Sequence, residues 1–335
     1  MHSASTPPPQ QFAAPTRPVP NRKRVPRLKR TPGTTRESSE AGLIRCWAHN
    51  PNSLSQKKKR ELLARFSANP TTRPHILFFC ETKYGSESLP NIDGYYHFRQ
   101  DRDKGSGGGV CIYVALDITA SPVDSEALNK RDIEQTWCVI HQGADKVLVG
   151  CIYRPPNTSL DNHLHTTSRV VETLKHAKQA VKMLGCSAMF VYGDFNLPHS
   201  RYEPIDVGGG AATLGYVAED TTGCKSSDEM FLNALQDLEL QQLVTFPTYH
   251  DSHDATPTNT LDLVITDNPD RATAVEPDAP LGSTPRGRAH VVVKWCIVTA
   301  RTVHQKKSRP RFLWSKATLD QWRALKQALA MLVGD

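Results

Sequence analysis

Asp194 and Asn196 stand two residues apart at the end of an apolar run, Met189-Phe-Val-Tyr-Gly-Asp-Phe-Asn-Leu-Pro198. Met189 to Tyr192 has the length and composition of a buried strand, Gly193 permits close approach of another backbone, and Pro198 ends ladder pairing. The polar pair therefore falls at an irregular strand end, where both side chains can face one cleft. A carboxylate there can orient and deprotonate a water, and the amide beside it can donate to a phosphate oxygen. The same spacing also suits an Asx turn that merely closes a strand.

Other runs end in the same way. His75-Ile-Leu-Phe-Phe-Cys-Glu-Thr82 places Glu81 at the carboxyl end of a second buried strand, where α/β sites are assembled. Lys146 to Tyr153 ends in Tyr153 just before Arg154-Pro-Pro156 forces a turn. Leu43 to Trp47 reads as the first strand, with Asn50 and Asn52 in the loop after it. Asp262 lies within the apolar stretch Thr258 to Thr266, and a mid-strand acid is unfavourable unless paired. Its natural partner is His290, which opens the last core strand, His290 to Val298.

The elements that must position these residues alternate between strand and helix. Helical spacing covers Lys57 to Phe66, 160–185 and Asp228 to Leu238, with Val170, Val171, Leu174, Val181 and Leu184 near one stripe of the second helix. Tyr95 to Gln100 and Gly107 to Val114 read as a hairpin, Gly107-Gly-Gly109 being the start of its second strand. Glu134 to His141 pairs with the run ending at Tyr153, and Val207 to Lys225 reads as a Gly- and Thr-rich loop. His163 and His165 lack Cys or Glu at ligand spacing and read as solvated polar residues.

The 335 residues, 38% of them hydrophobic, suffice for one large α/β domain or two small ones. No apolar run reaches membrane-spanning length and no secretory segment opens the chain, so a soluble protein without membrane partners is expected. The eight cysteines are scattered, mostly in apolar runs, as reduced core thiols are. Residues 1–42 differ from the rest. Eight basic side chains against Glu37 and Glu40 give +6 of the chain's +7, in a proline-rich segment with too little apolar surface to order itself. Arg22, Lys23 and Arg24 with Arg27, Lys29 and Arg30 form clusters suited to nuclear localisation or to binding nucleic-acid phosphates; the bland alternative is a solubilising tail. A basic linker, Lys306 to Arg311, and a helix over Leu319 to Val333 make up a C-terminal segment, 301–335.

The order Asn50-x-Asn52, Glu81-Thr82, Gly107-Gly-Gly-Val110, Ile152-Tyr-Arg-Pro-Pro156, Gly193-Asp-Phe-Asn196, Leu261-Asp262 and His290 resembles the endonuclease/exonuclease/phosphatase superfamily. Within it, the sequence is most similar to the apurinic-type endonuclease domains of non-LTR retrotransposons, over about residues 43–300, with Phe231 to Thr248 especially typical. The resemblance implies a four-layer α/β sandwich, two mixed β-sheets face to face with helices on the outer faces. It also implies a monomer that nicks DNA by hydrolysing phosphodiesters with Mg2+, Mn2+ being the alternative ion. On that reading Glu81 binds the metal with Asn50 and Asn52 nearby, Asp194 orients or deprotonates the water, and Asn196 holds a phosphate oxygen. Tyr153 assists at the phosphate or leaving oxygen, and Asp262 holds His290, which polarises the phosphate.

One position departs from that pattern. Arg288-Ala289-His290 stands where the family carries Ser-Asp-His, and Thr284 to Gly287 lengthens the approach, so a carboxylate near the metal is replaced by a methyl. Two alternatives follow: a catalytically impaired remnant that binds nucleic acid, or a phosphatase acting on small phosphoesters. The sequence contains no reverse-transcriptase segment and reads as a fragment or decayed copy of a larger element.

Overall fold

The computed structural model describes residues 42–299 apart from 86, 104–106, 157–158, 207–210, 219–224, 251–258, 274 and 283–288. The tail with its six arginines and lysines between 22 and 30 and the segment expected over 301–335 lie outside the described residues, as does Arg288.

β1 (Leu43–His49) leads through α1 (Gln56–Ala68) to β2 (Ile76–Cys80), which lies parallel to it. β3 (Tyr95–Gln100) and β4 (Val110–Ala115) form an antiparallel hairpin whose second strand joins β2. β5 (Thr119–Pro122), β6 (Glu134–Gln142) and β7 (Asp145–Tyr153) follow as antiparallel neighbours, and α2 (Leu160–Leu184) crosses over to β8 (Ala188–Asp194), parallel to β7. After the separate hairpin β9 (Ser200–Asp206) and β10 (Ala211–Val217) comes α3 (Lys225–Asp237). Next come β11 (Gln241–Gln242), β12 (Tyr249–His250), β13 (Asp262–Thr266), β14 (Glu276–Asp278), β15 (Ala289–His290) and β16 (Val292–Val298).

These strands make two six-stranded mixed sheets, ordered β14-β16-β1-β2-β4-β3 and β11-β13-β8-β7-β6-β5. Each has one parallel pair, β1 with β2 and β7 with β8, joined by a helical crossover. Period-two alternation builds the layers. On β8, Phe190 and Tyr192 enter the core between the sheets, where Tyr192 packs 6.2 Å from Phe78, itself stacked 5.5 Å from Trp295. Met189 and Val191 face the other way, onto the α2 stripe Val170, Leu174, Ala177 and Val181 and onto Phe231 of α3. α1 covers the first sheet through Phe66, 5.9 Å from Trp47. Ser55 caps α1, Ser159 caps α2, and Gly185 at φ 66 ends α2 in the left-handed conformation that glycine adopts without strain. The result is the four-layer α/β sandwich expected from the resemblance. Among the described residues no helix is long and apolar enough to cross a membrane. Five of the described cysteines are buried, and Cys80 and Cys151 face each other across the sheets at 3.8 Å as thiols.

Three local expectations are corrected. The segment read as loop from Val207 contains β10, which pairs with β9 in register from Ala211 with Asp206 to Val217 with Ser200. Gly107, Gly108 and Gly109 have φ of 93, 63 and 87°, so they form a turn ahead of β4, where the Gly109 N–H donates to Glu134. The last strand begins at Val292, not at His290, which sits on the short β15 and pairs with β12.

Candidate active site

The carboxyl ends of β1, β2, β7 and β8 open at one edge of the sandwich, and the residues there come from both sheets. β8 lies between β7 and β13, and its register sets Tyr153, Asp194 and Asp262 side by side in one row. Directly opposed residues on adjacent strands share a face, so this row looks into the mouth between the sheets. From the first sheet Asn50 meets it: its Nδ2 donates to Glu81 Oε1 at 2.9 Å and to Asp194 Oδ2 at 2.7 Å. One buried amide thus joins the two carboxylates across the interface between sheets.

Asp262, expected in mid-strand, is the first residue of β13 and wholly buried. Its Oδ2 lies 2.7 Å from His290 Nδ1, its Oδ1 accepts from Tyr192 Oη at 2.8 Å, and its backbone N–H donates to Thr248 Oγ1. The pairing of Asp262 with His290 read from the sequence is therefore present, although β15, paired with β12, rather than a core strand carries the histidine. The His290 carbonyl lies 3.0 Å from His49 Nε2, and its ring packs 4.8 Å from that of Tyr249. So fixed, His290 Nε2 faces Asp194 Oδ2 at 3.8 Å.

The electrostatics follow from burial and these neighbours. Burial disfavours the imidazolium of His290, but Asp262 and Asp194 together outweigh it and raise its pKa to about 9. Burial raises Asp194 to about 7; His290 opposes the rise and Asp262 adds to it. His49, wholly buried and beside His290, is pushed down to about 3 and is neutral, with its Nδ1 buried and unpartnered. The Tyr153 hydroxyl is raised far above its ordinary value by burial and by the nearby carboxylates of Glu81 and Asp194. Its ring is buried, with the Arg102 guanidinium 5.9 Å from the centroid.

The mouth is a cleft of about 610 Å³, with Asn50, Glu81, Asp194, Asn196 and His290 on its walls and Lys57 and Lys58 at its lip. Ala289 also lines it, so the missing carboxylate falls on the cleft wall beside His290. Asn52 stands at the rim. Its backbone N–H donates to Asn50 Oδ1 at 2.9 Å, while its side-chain oxygen accepts from Lys83 Nζ, which is 3.9 Å from Glu81 Oε2. Asn196 donates through Nδ2 to the Arg154 carbonyl at 2.8 Å, and its own N–H donates to Asp194 Oδ1 at 3.1 Å. Asn52, Glu81 and Asn196 have φ of 46, 46 and 47°, a region that non-glycine residues rarely occupy and that clusters where side chains must be aimed against the backbone's preference.

The donor set suits a hard divalent cation. Glu81 and Asp194 offer carboxylate oxygens around Asn50, and Asp194, Asp262 and His290 bring ligand atoms within 4.8 Å of one another. Asp262 is already occupied by His290 and Tyr192, which leaves Glu81 and Asp194 as the carboxylates facing the cleft. His163, expected to be solvated, is half-buried with Nδ1 2.9 Å from Arg154 Nη2, whereas His165 is exposed. Sequence reasoning overlooked Arg154, Tyr192 and Thr248. An arginine at the end of an apolar strand was the one local sign of the first.

Two mixed sheets pack face to face, with carboxylates and a carboxylate-held histidine at their shared edge. The sequence profile of the Endonuclease/Exonuclease/phosphatase family matches residues 46–284, and the chain belongs to that family. A search of curated proteins finds no match. Among solved structures, the fold is similar to the endonuclease domain of TRAS1, a telomere-specific non-LTR retrotransposon, at 16% identity and a TM-score of 0.52, covering 77% of this chain and 99% of that one. It is similar to the AP endonuclease LMAP from Leishmania major at 13% identity and a TM-score of 0.56, covering 76% and 88%. A third similar structure is the 3′ phosphatase NExo from Neisseria bound to a product DNA hairpin, at 15% identity and a TM-score of 0.51, covering 75% and 98%.

Proposed function

We propose that the chain is a Mg2+-dependent phosphodiesterase that nicks DNA, of the retrotransposon endonuclease kind, and that it acts in the nucleus. The observation that carries this reading is the Asn50 amide bonded at once to Glu81 and Asp194, with His290 facing Asp194 from its Asp262 support. Glu81 would hold the cation with Asn50 nearby, and the cation would supply charge neutralisation at the phosphate; Mn2+ suits the same oxygen donors. Asp194, with a pKa near neutrality in the metal-free chain, orients the attacking water and takes its proton. The raised pKa of His290 keeps its imidazole charged, and it donates to the phosphate oxygens as negative charge develops on them. Asn196 turns its remaining amide N–H to a phosphate oxygen, and Tyr153, opposite Asp194 in the strand register, assists at the phosphate or leaving oxygen. Lys57, Lys58 and Lys83 at the rim, the tail clusters between Arg22 and Arg30, and the DNA-bound fold relative favour a nucleic-acid substrate.

Nicking of supercoiled plasmid with Mg2+, abolished by EDTA, tests the proposal. Absence of nicking, or nicking indifferent to EDTA, refutes it. Ala289 on the cleft wall favours a second reading, an impaired domain that binds DNA without cutting it. DNA retardation without nicking at any Mg2+ concentration is its signature.

A further inference from the structure

Arg154 is the bulkiest of the fully buried side chains among the described residues, and the carboxylates of those residues that act on its charge, Asp228 and Asp194, do so without a direct ion pair. Neutral acceptors hold its guanidinium: Nε donates to Thr167 Oγ1 at 3.0 Å, Nη1 to the carbonyls of Phe195 (3.2 Å) and Asn196 (3.0 Å), and Nη2 to Ser227 Oγ (3.2 Å). His163 Nδ1 lies 2.9 Å from the same Nη2. A buried charge without a direct ion pair is disfavoured, and burial pulls this guanidinium down to about 10 although Asp228 and Asp194 oppose the fall. Such a group persists only where its hydrogen bonds fix something that apolar packing would leave loose.

What it fixes is the turn carrying Asp194 and Asn196. The main chain of Arg154 grips one side of that turn, its N–H donating to the Asp194 carbonyl at 2.9 Å and its carbonyl accepting from Asn196 Nδ2 at 2.8 Å. The guanidinium grips the other side through two consecutive carbonyls. Asn196 sits at φ 47°, a conformation held only when the surroundings over-determine it. The Arg154 guanidinium presents rigid, coplanar donors, whereas a lysine offers one mobile point charge.

We infer that Arg154 is a positioning residue, locking the Asp194–Asn196 turn with Asn196 in its left-handed conformation and so aiming both side chains into the cleft without touching substrate. The inference rests on the phosphodiesterase reading for its kinetic consequence, though the lock itself can be observed without catalysis.

Arg154→Met and Arg154→Lys test it by two readouts. Plasmid nicking should lose roughly 10- to 100-fold in kcat, less for the lysine variant than for the methionine one, while KM for DNA stays within about two-fold of wild type. Hydrogen exchange of the Asn196 amide, which is bonded to Asp194 Oδ1, should quicken about ten-fold or more, with the Phe190 to Tyr192 amides unchanged. A wild-type kcat, an unchanged Asn196 exchange rate, or exchange that quickens equally throughout β8 overturns the inference. If Arg154→Met does not fold, Arg154→Lys decides by the same measurements. Should wild type itself fail to nick, the phosphodiesterase reading falls and the exchange result alone judges the lock.

Discussion

His290 Nδ1 lies 2.7 Å from Asp262 Oδ2, a buried contact between residues on strands of two different sheets. This pair sets the direction in which the ring can act, because the Asp262 carboxylate selects the tautomer with hydrogen on Nδ1 in the neutral form and stabilises the imidazolium. Folding raises the His290 pKa from 6.5 to about 9, so the folded chain binds that proton more tightly than the unfolded one. The stabilisation is whole below pH 6.5 and is lost as pH rises through about 9. Asp262→Asn removes the pair. The stability gap between wild type and this variant, measured by urea unfolding without metal, should shrink by about 3 kcal/mol between pH 6 and pH 10. A gap independent of pH excludes a charged pair.

Glu81→Gln and Asp194→Asn should each lower Mg2+-dependent nicking by about 10²-fold or more while far-UV circular dichroism stays that of wild type. Each change removes one of the two carboxylates that share the Asn50 amide. Wild-type nicking rates in both variants would place the chemistry elsewhere.

The pH dependence of kcat/KM should be bell-shaped. The basic limb lies near 9, where His290 loses its proton, and the acid limb reflects ionisation of Asp194, about 7 in the metal-free chain. A bound cation favours the carboxylate and disfavours the imidazolium 3.8 Å from that carboxylate, so raising Mg2+ should move the acid limb below 7 and shift the basic limb downward from 9 as well. An acid limb that does not respond to Mg2+ detaches Asp194 from the metal site.

Deleting residues 1–40 removes six net positive charges. Nonspecific DNA affinity should fall, and every DNA phosphate that the shortened protein no longer neutralises should reduce the slope of log affinity against log salt by about 0.9. An unchanged slope, from fluorescence anisotropy across a salt series, assigns the phosphate contacts to the folded domain.

Ala289→Asp together with Arg288→Ser restores a carboxylate on the cleft wall beside His290 and removes the neighbouring cation. Nicking should then reach half its maximal rate at a lower Mg2+ concentration than in wild type, with Glu81→Gln inert in the same assay. A double variant with the wild-type Mg2+ dependence shows that this position does not limit metal use.

Much of this site was legible in the sequence because its signals are local. Apolar runs that stop at Glu81, Tyr153 and Asp194 mark buried strand ends, since strands buried on both faces read as continuous apolar stretches until a polar residue ends them. An acid such as Asp262 among apolar neighbours demands a partner, and His290 was the candidate in reach. Only the tertiary structure decided the rest. The row of Tyr153, Asp194 and Asp262 depends on the register of β8 against β7 and β13, and the Asn50 bridge to Asp194 spans 144 positions of chain. Neither relationship leaves a periodic trace. Asn52 matched Asn50 in spacing, yet its left-handed backbone turns its side chain to Lys83. Arg154 looked like part of a strand-ending turn, and its grip on Phe195 and Asn196, 41 and 42 positions away, exists only once α2 and α3 close over it. Local composition dictates which residues must be buried or turned. Which of them meet is settled by strand register and helix packing, where the deciding energy lies in contacts between segments far apart in the chain.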